Sequence, residues 1–313
     1  MSDSTLLATP NRGRPGRRLQ DLIAAGIHHA SAPVRKGTRV LLLGPRVLHR
    51  RLDSAERRVL APPVLGNSVP KSGTHLLDQI LAALPHRANY GAFLESMTAS
   101  YVFRERSPKS TYDYLTRIVS GELVRAHLHH SPTAEAAVRE LGIVHYLVYR
   151  DPRDVVVSEA HYLRSMNRWH RMHAHFRACE SFGDALSLAI EGLAPGASTL
   201  PYPDIGRRFG RFTPWLRCPA VRAVRFEDLV SPRRREVLEG LVRHYAGHAR
   251  ESIDVTAVAD EAEARIAPER SHTFRQGGSG GWRSAFTPRH VTAFKRVAGD
   301  LLIELGYETN LDW

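Results

Sequence analysis

The chain has 313 residues, 44 Lys and Arg against 32 Asp and Glu, a formal net charge of +12, and 42% hydrophobic residues. That composition suits a globular protein with a sizeable core and excludes a disordered chain. Its two cysteines, Cys179 and Cys218, lack metal-site spacing and cannot make a disulfide framework, which points to a reducing compartment. The positive charge favours anionic partners. It does not name one, because nearly all of it is Arg, with Lys only at 36, 71, 109 and 295, a skew that genome composition also produces.

In chain order, residues 1–16 are rich in Ser, Pro, Gly and Arg and read as disordered. Arg17 to Arg58 is a basic extension carrying one or two helices, and Pro62-Pro63 marks a boundary. The expected organisation is therefore a basic, partly disordered extension over 1–60 and a main domain over 61–313. The stretch from Arg17 to Ala32 has the look of an export signal, but Gln20, Asp21, His28 and His29 break its apolar centre. No apolar run approaches the ~20 residues that span a bilayer. A cytoplasmic location is expected.

Val64 to Val69 reads as a short buried strand, followed by the turn Pro70-Lys71-Ser72-Gly73-Thr74-His75. Leu76, Leu77, Ile80, Leu81 and Leu84 then share one face of a helix. A strand, a loop of small residues and a helix together make a phosphate cradle, since loop amides and the helix N-terminus both present positive charge. Further strands are expected at Glu122 to Ala126, ending at His127, at Ile143 to Arg150, and at Ala220 to Arg225. Asp151-Pro152-Arg153-Asp154 opens a helix expected to reach about Arg168, with Asp151 as N-cap and Pro152 in the first turn. Other helices follow Ser231-Pro232 and run from Pro288 to Leu305. Alternating strands and helices imply a single α/β domain with a mostly parallel central sheet flanked by helices. Ligands then bind beyond the carboxyl ends of the strands, where Lys71, His127, Arg150 and Phe226 fall.

The 70–75 turn is not the triphosphate loop, whose lysine follows the last glycine; here Lys71 precedes Ser72-Gly73-Thr74. It can still cradle one phosphate, with Lys71 beside it to neutralise a leaving oxygen. From Pro70 to Leu76 the chain resembles the 5′-phosphosulfate loop of sulfotransferases that use 3′-phosphoadenosine-5′-phosphosulfate (PAPS). Three more segments follow in that family's order. Arg150 to Ser158 resembles its 3′-phosphate motif, Phe226-Glu227-Asp228-Leu229 its Tyr-Glu-Asp-Leu segment, and Arg275 to Arg283 its C-terminal glycine-rich loop.

The resemblance implies a P-loop-type fold and a sulfuryl transfer from PAPS to an acceptor hydroxyl or amine, leaving adenosine 3′,5′-bisphosphate (PAP) and needing no metal. It assigns Lys71, Ser72, Gly73, Thr74 and His75 to the 5′ side of the donor. Arg150, Ser158, Phe226, Arg275, Gln276 and Gly277 fall to the rest of the nucleotide. Leu123 to Leu128 is similar to the family's Val-Lys-Thr-His-Leu, which makes His127 the general base; His129, His130 and Glu95 are its rivals. Leu76, Phe226, Gln276 and Gly281 depart from the family's usual Trp, Tyr, Lys and Asp, and weaker donor binding is the expected consequence.

His170, His173 and His175 lie close in sequence, but no Cys or carboxylate cluster supports a metal there, and residues 162–180 read better as part of an acceptor lid. The acceptor is expected to be a small molecule, lipid or carbohydrate. Phe93, Tyr101, Phe103, Tyr112, Trp169 and Phe176 could line its pocket or belong to the core. No nucleic acid is expected, because the aromatics are too dispersed for a stacking platform. The basic N-terminus could add a peripheral membrane contact. The competing readings are a nucleotide-dependent phosphotransferase and a basic, non-catalytic anion-binding protein.

Overall fold

The computed structural model describes residues 15–313, apart from positions 30, 99, 195 and 197 and the segment 268–277. Among the described residues, five strands form one sheet: β1 (Val64–Ser68), β2 (Phe93–Glu95), β3 (Leu123–His127), β4 (Val144–Tyr149) and β5 (Val221–Arg225). Their order is β2-β3-β1-β4-β5, and every pairing is parallel. β1 is buried along its whole length, as a central parallel strand covered on both faces should be. The four strands expected from sequence are present within a residue or two of their anticipated ends. β2 was not anticipated: three residues are too few to show alternation.

Helices cover both faces. On one, Val156, Leu186 and Phe294 bring the helices Pro152–His161, Phe182–Glu191 and Pro288–Glu304 into a core with Leu65 and Leu147. On the other, Leu77, Leu241 and Ala262 bring in Thr74–Leu81, Arg234–Ala246 and Val255–Arg265 against Val64 and Val148. Gly66 lets the first of these lie close on β1: a Cβ there would sit 3.1 Å from Leu81 Cδ1.

The chain leaves central β1 toward β3 and β2 on one side and returns to β4 and β5 on the other. The carboxyl ends of β1, β3 and β4 therefore open onto a crevice at a topological switch point. The helix begun at Pro152 ends at His161 and continues as a π-turn over Tyr162–Met166, instead of running regularly to Arg168. Such turns swing side chains off the regular helical face. Upstream of β1, the helices Pro15–Ile27, Ala32–Leu41, Leu43–Arg51 and Ala55–Leu60 lie against the domain, with Ile27 fully buried. Among the described residues no helix is long and apolar enough to cross a membrane.

Candidate active site

The crevice is a cleft of about 660 Å³ walled by strand ends, the 69–74 turn and the N-terminal helices. β1 enters the turn through Val69, whose carbonyl accepts from the Ser72 amide at 3.1 Å. Lys71 (φ 67°) and Gly73 (φ 98°) both take left-handed conformations, curling the backbone before Thr74 opens the helix. The first amides of that helix have no carbonyl a turn earlier to bond and face the cleft end. Glycine is required at 73 twice over. Its φ is left-handed, and a Cβ would lie 2.6 Å from the Phe226 ring. That ring carries Arg150 above it, the guanidinium 4.7 Å from the ring centre.

Beside the turn, His127 ends β3. Its Nδ1 is 2.8 Å from the Ser68 carbonyl oxygen, which can only accept. Nδ1 therefore carries the proton, and Nε2 is left as the acceptor of the neutral ring. Burial, with Lys71 close by, lowers the His127 pKa to about 4, so the neutral ring persists at physiological pH. Phe93 packs edge-on against this imidazole at 5.0 Å. Lys71 places its Nζ over the ring of Tyr162, the first residue of the π-turn, at 3.9 Å.

At the other end of the cleft a small network ties the C-terminal loop to β4. Arg150 Nη2 donates to the Gly278 carbonyl at 2.8 Å and to Asp154 Oδ2 at 3.4 Å. Buried Asp154 also accepts from the Gly280 amide at 2.7 Å and the Trp282 amide at 2.9 Å. Glu227 accepts from the Asp151 amide at 3.0 Å and from Tyr307 Oη at 2.8 Å, fixing the start of the helix that follows Arg150. Arg153 is a structural residue: it is buried between Trp282 and Trp313 and paired with Asp151 and Glu308.

A sulfotransferase domain model matches residues 62–195, which contain the first turn, β3 with His127, and the Arg150 to Ser158 segment. Over that segment the chain is similar to the sulfotransferase domain family. Two crystal structures share its fold. A mouse sulfotransferase complexed with PAP is 18% identical, with 85% of this chain and 91% of that chain covered and a TM-score of 0.52. A retinol dehydratase in complex with androsterone and the inactive cofactor PAP is 14% identical, with 83% and 85% covered and a TM-score of 0.50. No curated protein matches the chain by sequence.

Lys71, Gly73, Thr74, His75, Arg150, Ser158, Phe226 and His127 all line the cleft. Ser72 does not: its side chain is fully buried and its amide closes the turn, because the left-handed residue on either side points it inward. Arg275, Gln276 and Gly277 lie outside the described residues. Of the rivals to His127, His129 and Glu95 reach the cleft, whereas His130 turns away and pairs with Glu135 at 2.8 Å. His130, Glu135 and Cys218 group their ligand atoms within 4.8 Å of one another, apart from the cleft lining. Among the aromatics, Phe93 and Phe103 line the cleft, Phe176 is core, and Tyr101, Tyr112 and Trp169 are exposed.

Sequence reasoning placed Asp154 only in the first turn of a helix and gave no site role to Arg125 or Arg39. Asp154 left one signal, its i,i+4 spacing from Arg150. Arg125 lies two residues before His127 on β3, hence on the same face, and is buried beside Phe93 with its guanidinium 5.5 Å from that ring. Arg39 reaches the cleft from the helix Ala32–Leu41, far away in sequence.

Proposed function

We propose that this cleft binds PAPS with its 5′-phosphosulfate on the 70–75 turn and its 3′-phosphate at Arg150 and Ser158, and sulfurylates a hydroxyl or amine presented to His127. The observation that carries the reading is that Lys71, His127 and Arg150, from the ends of three different strands, line one cleft. Arg275, Gln276 and Gly277 complete the 3′-phosphate site in this reading. Leu76, Leu229, Val230 and Ile266 form the apolar wall on the turn side, and they take the adenine in place of the family's tryptophan.

Catalysis is positioning plus charge stabilisation. His127 Nε2 accepts the acceptor's proton as its oxygen or nitrogen bonds to sulfur. The bond from sulfur to the bridging oxygen breaks, and the electron pair leaves on the 5′-phosphate. Lys71 stabilises the charge that develops there. The neutral His127 suits this role, because a ring already protonated could not accept.

The acceptor wall combines Phe93, Phe103, Tyr162, Phe209 and Phe212 with the cations Arg39 and Arg125. A small molecule or lipid with an apolar body fits it better than a carbohydrate. A cytoplasmic location, with both cysteines free, belongs to the same reading.

Calorimetric titration with PAP, with 5′-AMP and ATP–magnesium as controls, tests the donor site. Tight binding of PAP, weakened by Arg150→Ala and far weaker for the controls, is expected. A folded protein that does not bind PAP, or that prefers ATP–magnesium, overturns the reading.

A further inference from the structure

The helix Leu43–Arg51 is inside out. A surface helix ordinarily turns its apolar stripe to the core and its polar face to water. Here the inward face is polar. Arg46 Nε pairs with the fully buried Glu122 at 2.8 Å, and His49 bonds Tyr90 Oη at 2.8 Å and Ser120 Oγ at 3.1 Å. The next turn repeats the pattern, with Asp53 accepting from the Ser120 amide and from Arg58. The outward face is left with Leu43 (56% exposed), Val47 (52%) and Leu48 (58%), and Leu41 (78%) extends it from the preceding helix. Val40 and Leu52 are exposed as well, and no residue of Leu43–Arg51 or Ala55–Leu60 is buried.

Polar anchors hold this helix in place while its apolar side chains face outward, and grouped exposed apolar residues mark an interaction surface. Its charge selects the partner. From Leu22 to Leu52 the sequence contains no Asp or Glu, while Lys36, Arg50 and Arg51 are exposed around the apolar stripe. A second copy of the chain would bring the same cations against these. An anionic bilayer satisfies both features: leucines enter the acyl boundary and the arginines meet headgroups. We propose that the helices 32–52 form a peripheral docking face for anionic membranes. The helix Ala32–Leu41 also supplies Arg35 and Arg39 to the cleft wall, so docking sets the membrane beside the acceptor end of the active site.

The test is flotation of the full chain with phosphatidylcholine vesicles, with and without phosphatidylserine. Binding is expected only to the anionic vesicles and is expected to weaken in high salt. The Arg50→Gln/Arg51→Gln variant should bind ~30-fold more weakly, at about tenfold per 1.4 kcal/mol and ~1 kcal/mol per basic residue. The Leu41→Ser/Val47→Ser/Leu48→Ser variant, which alters exposed positions only, should also lose binding while PAP titration stays unchanged. Protein that binds PAP but does not float with anionic vesicles overturns the proposal, as does flotation indifferent to the serine substitutions. Self-association abolished by those substitutions, without flotation, would assign the face to a second copy instead.

Discussion

Arg150 and Asp154 stand one helical turn apart and hold the same loop from its two ends: Arg150 bonds the carbonyl of Gly278, and Asp154 bonds the amides of Gly280 and Trp282. The guanidinium proposed to grip the 3′-phosphate is therefore positioned by a carboxylate whose own bonds go to Arg150 and to the loop. Asp154→Asn keeps the shape but replaces one acceptor oxygen with a donor, leaving an amide or Arg150 unpaired. PAP affinity should fall ~10-fold, a loss of about 1.4 kcal/mol, with 5′-AMP affinity nearly unchanged because it lacks the 3′-phosphate. Equal losses for both ligands in calorimetry would show a general collapse of the cleft instead.

His127 should act on turnover and not on donor binding. His127→Gln removes the acceptor Nε2 at similar volume. We expect kcat to fall by ~10²–10⁴-fold and the PAP dissociation constant to stay close to that of the parent. A variant that keeps full turnover would transfer the role of base to His129 or Glu95, both of which face the cleft.

The same imidazole makes a pH prediction. Its pKa is lowered to about 4 by burial and by Lys71. Protonation, which stops it accepting, should therefore begin well below the usual histidine range, and the acid limb of kcat/KM should lie below pH 6.5. NMR titration of the unliganded protein, with His127→Gln to assign the resonance, gives the midpoint directly. A midpoint at 6.5 or above would contradict the geometry.

Gly73→Ala tests the turn. The left-handed conformation costs an alanine about 1–2 kcal/mol, and its methyl group would meet the Phe226 ring. PAP binding should be largely lost. Adding Phe226→Ala should restore only part of it, because the ring clash is relieved and the backbone strain is not. Full rescue would show that the clash alone matters.

His145 is one of several buried or half-buried histidines, with His127, His129, His170 and His244, whose lowered pKa values make stability depend on acid. It is fully buried on β4 against Trp215, neither ring nitrogen has a hydrogen-bond partner among the described residues, and burial lowers its pKa to about 3. Between pH 6.5 and about 3 the unfolded chain binds a proton that the folded chain refuses. The contribution of His145 is therefore intact above pH 6.5 and is lost as pH drops through that window, by about 3 kcal/mol at pH 4. His145→Phe should flatten this part of the pH profile in urea denaturation. A parallel shift at all pH values would assign the effect to packing.

The sequence by itself determined the α/β class, the four longer strands and the cleft residues Lys71, His127, Arg150 and Ser158. These are legible because local rules produce them: apolar runs for strands, Gly73 for the turn, Asp151-Pro152 for a helix start. The tertiary structure decided what depends on contacts distant in sequence. It showed that Ser72 points inward, that Asp154 holds a loop some 126 residues away, and that β2 exists only because β3 pairs with it. It also turned the basic extension into a wall of the cleft, bringing Arg39 toward β3 and facing the leucines of 41–48 outward. Hydrophobic periodicity tells that such a helix has two faces. Which face the domain takes is settled by the partners waiting for it, here Glu122, Ser120 and Tyr90, whose polar groups claimed Arg46 and His49.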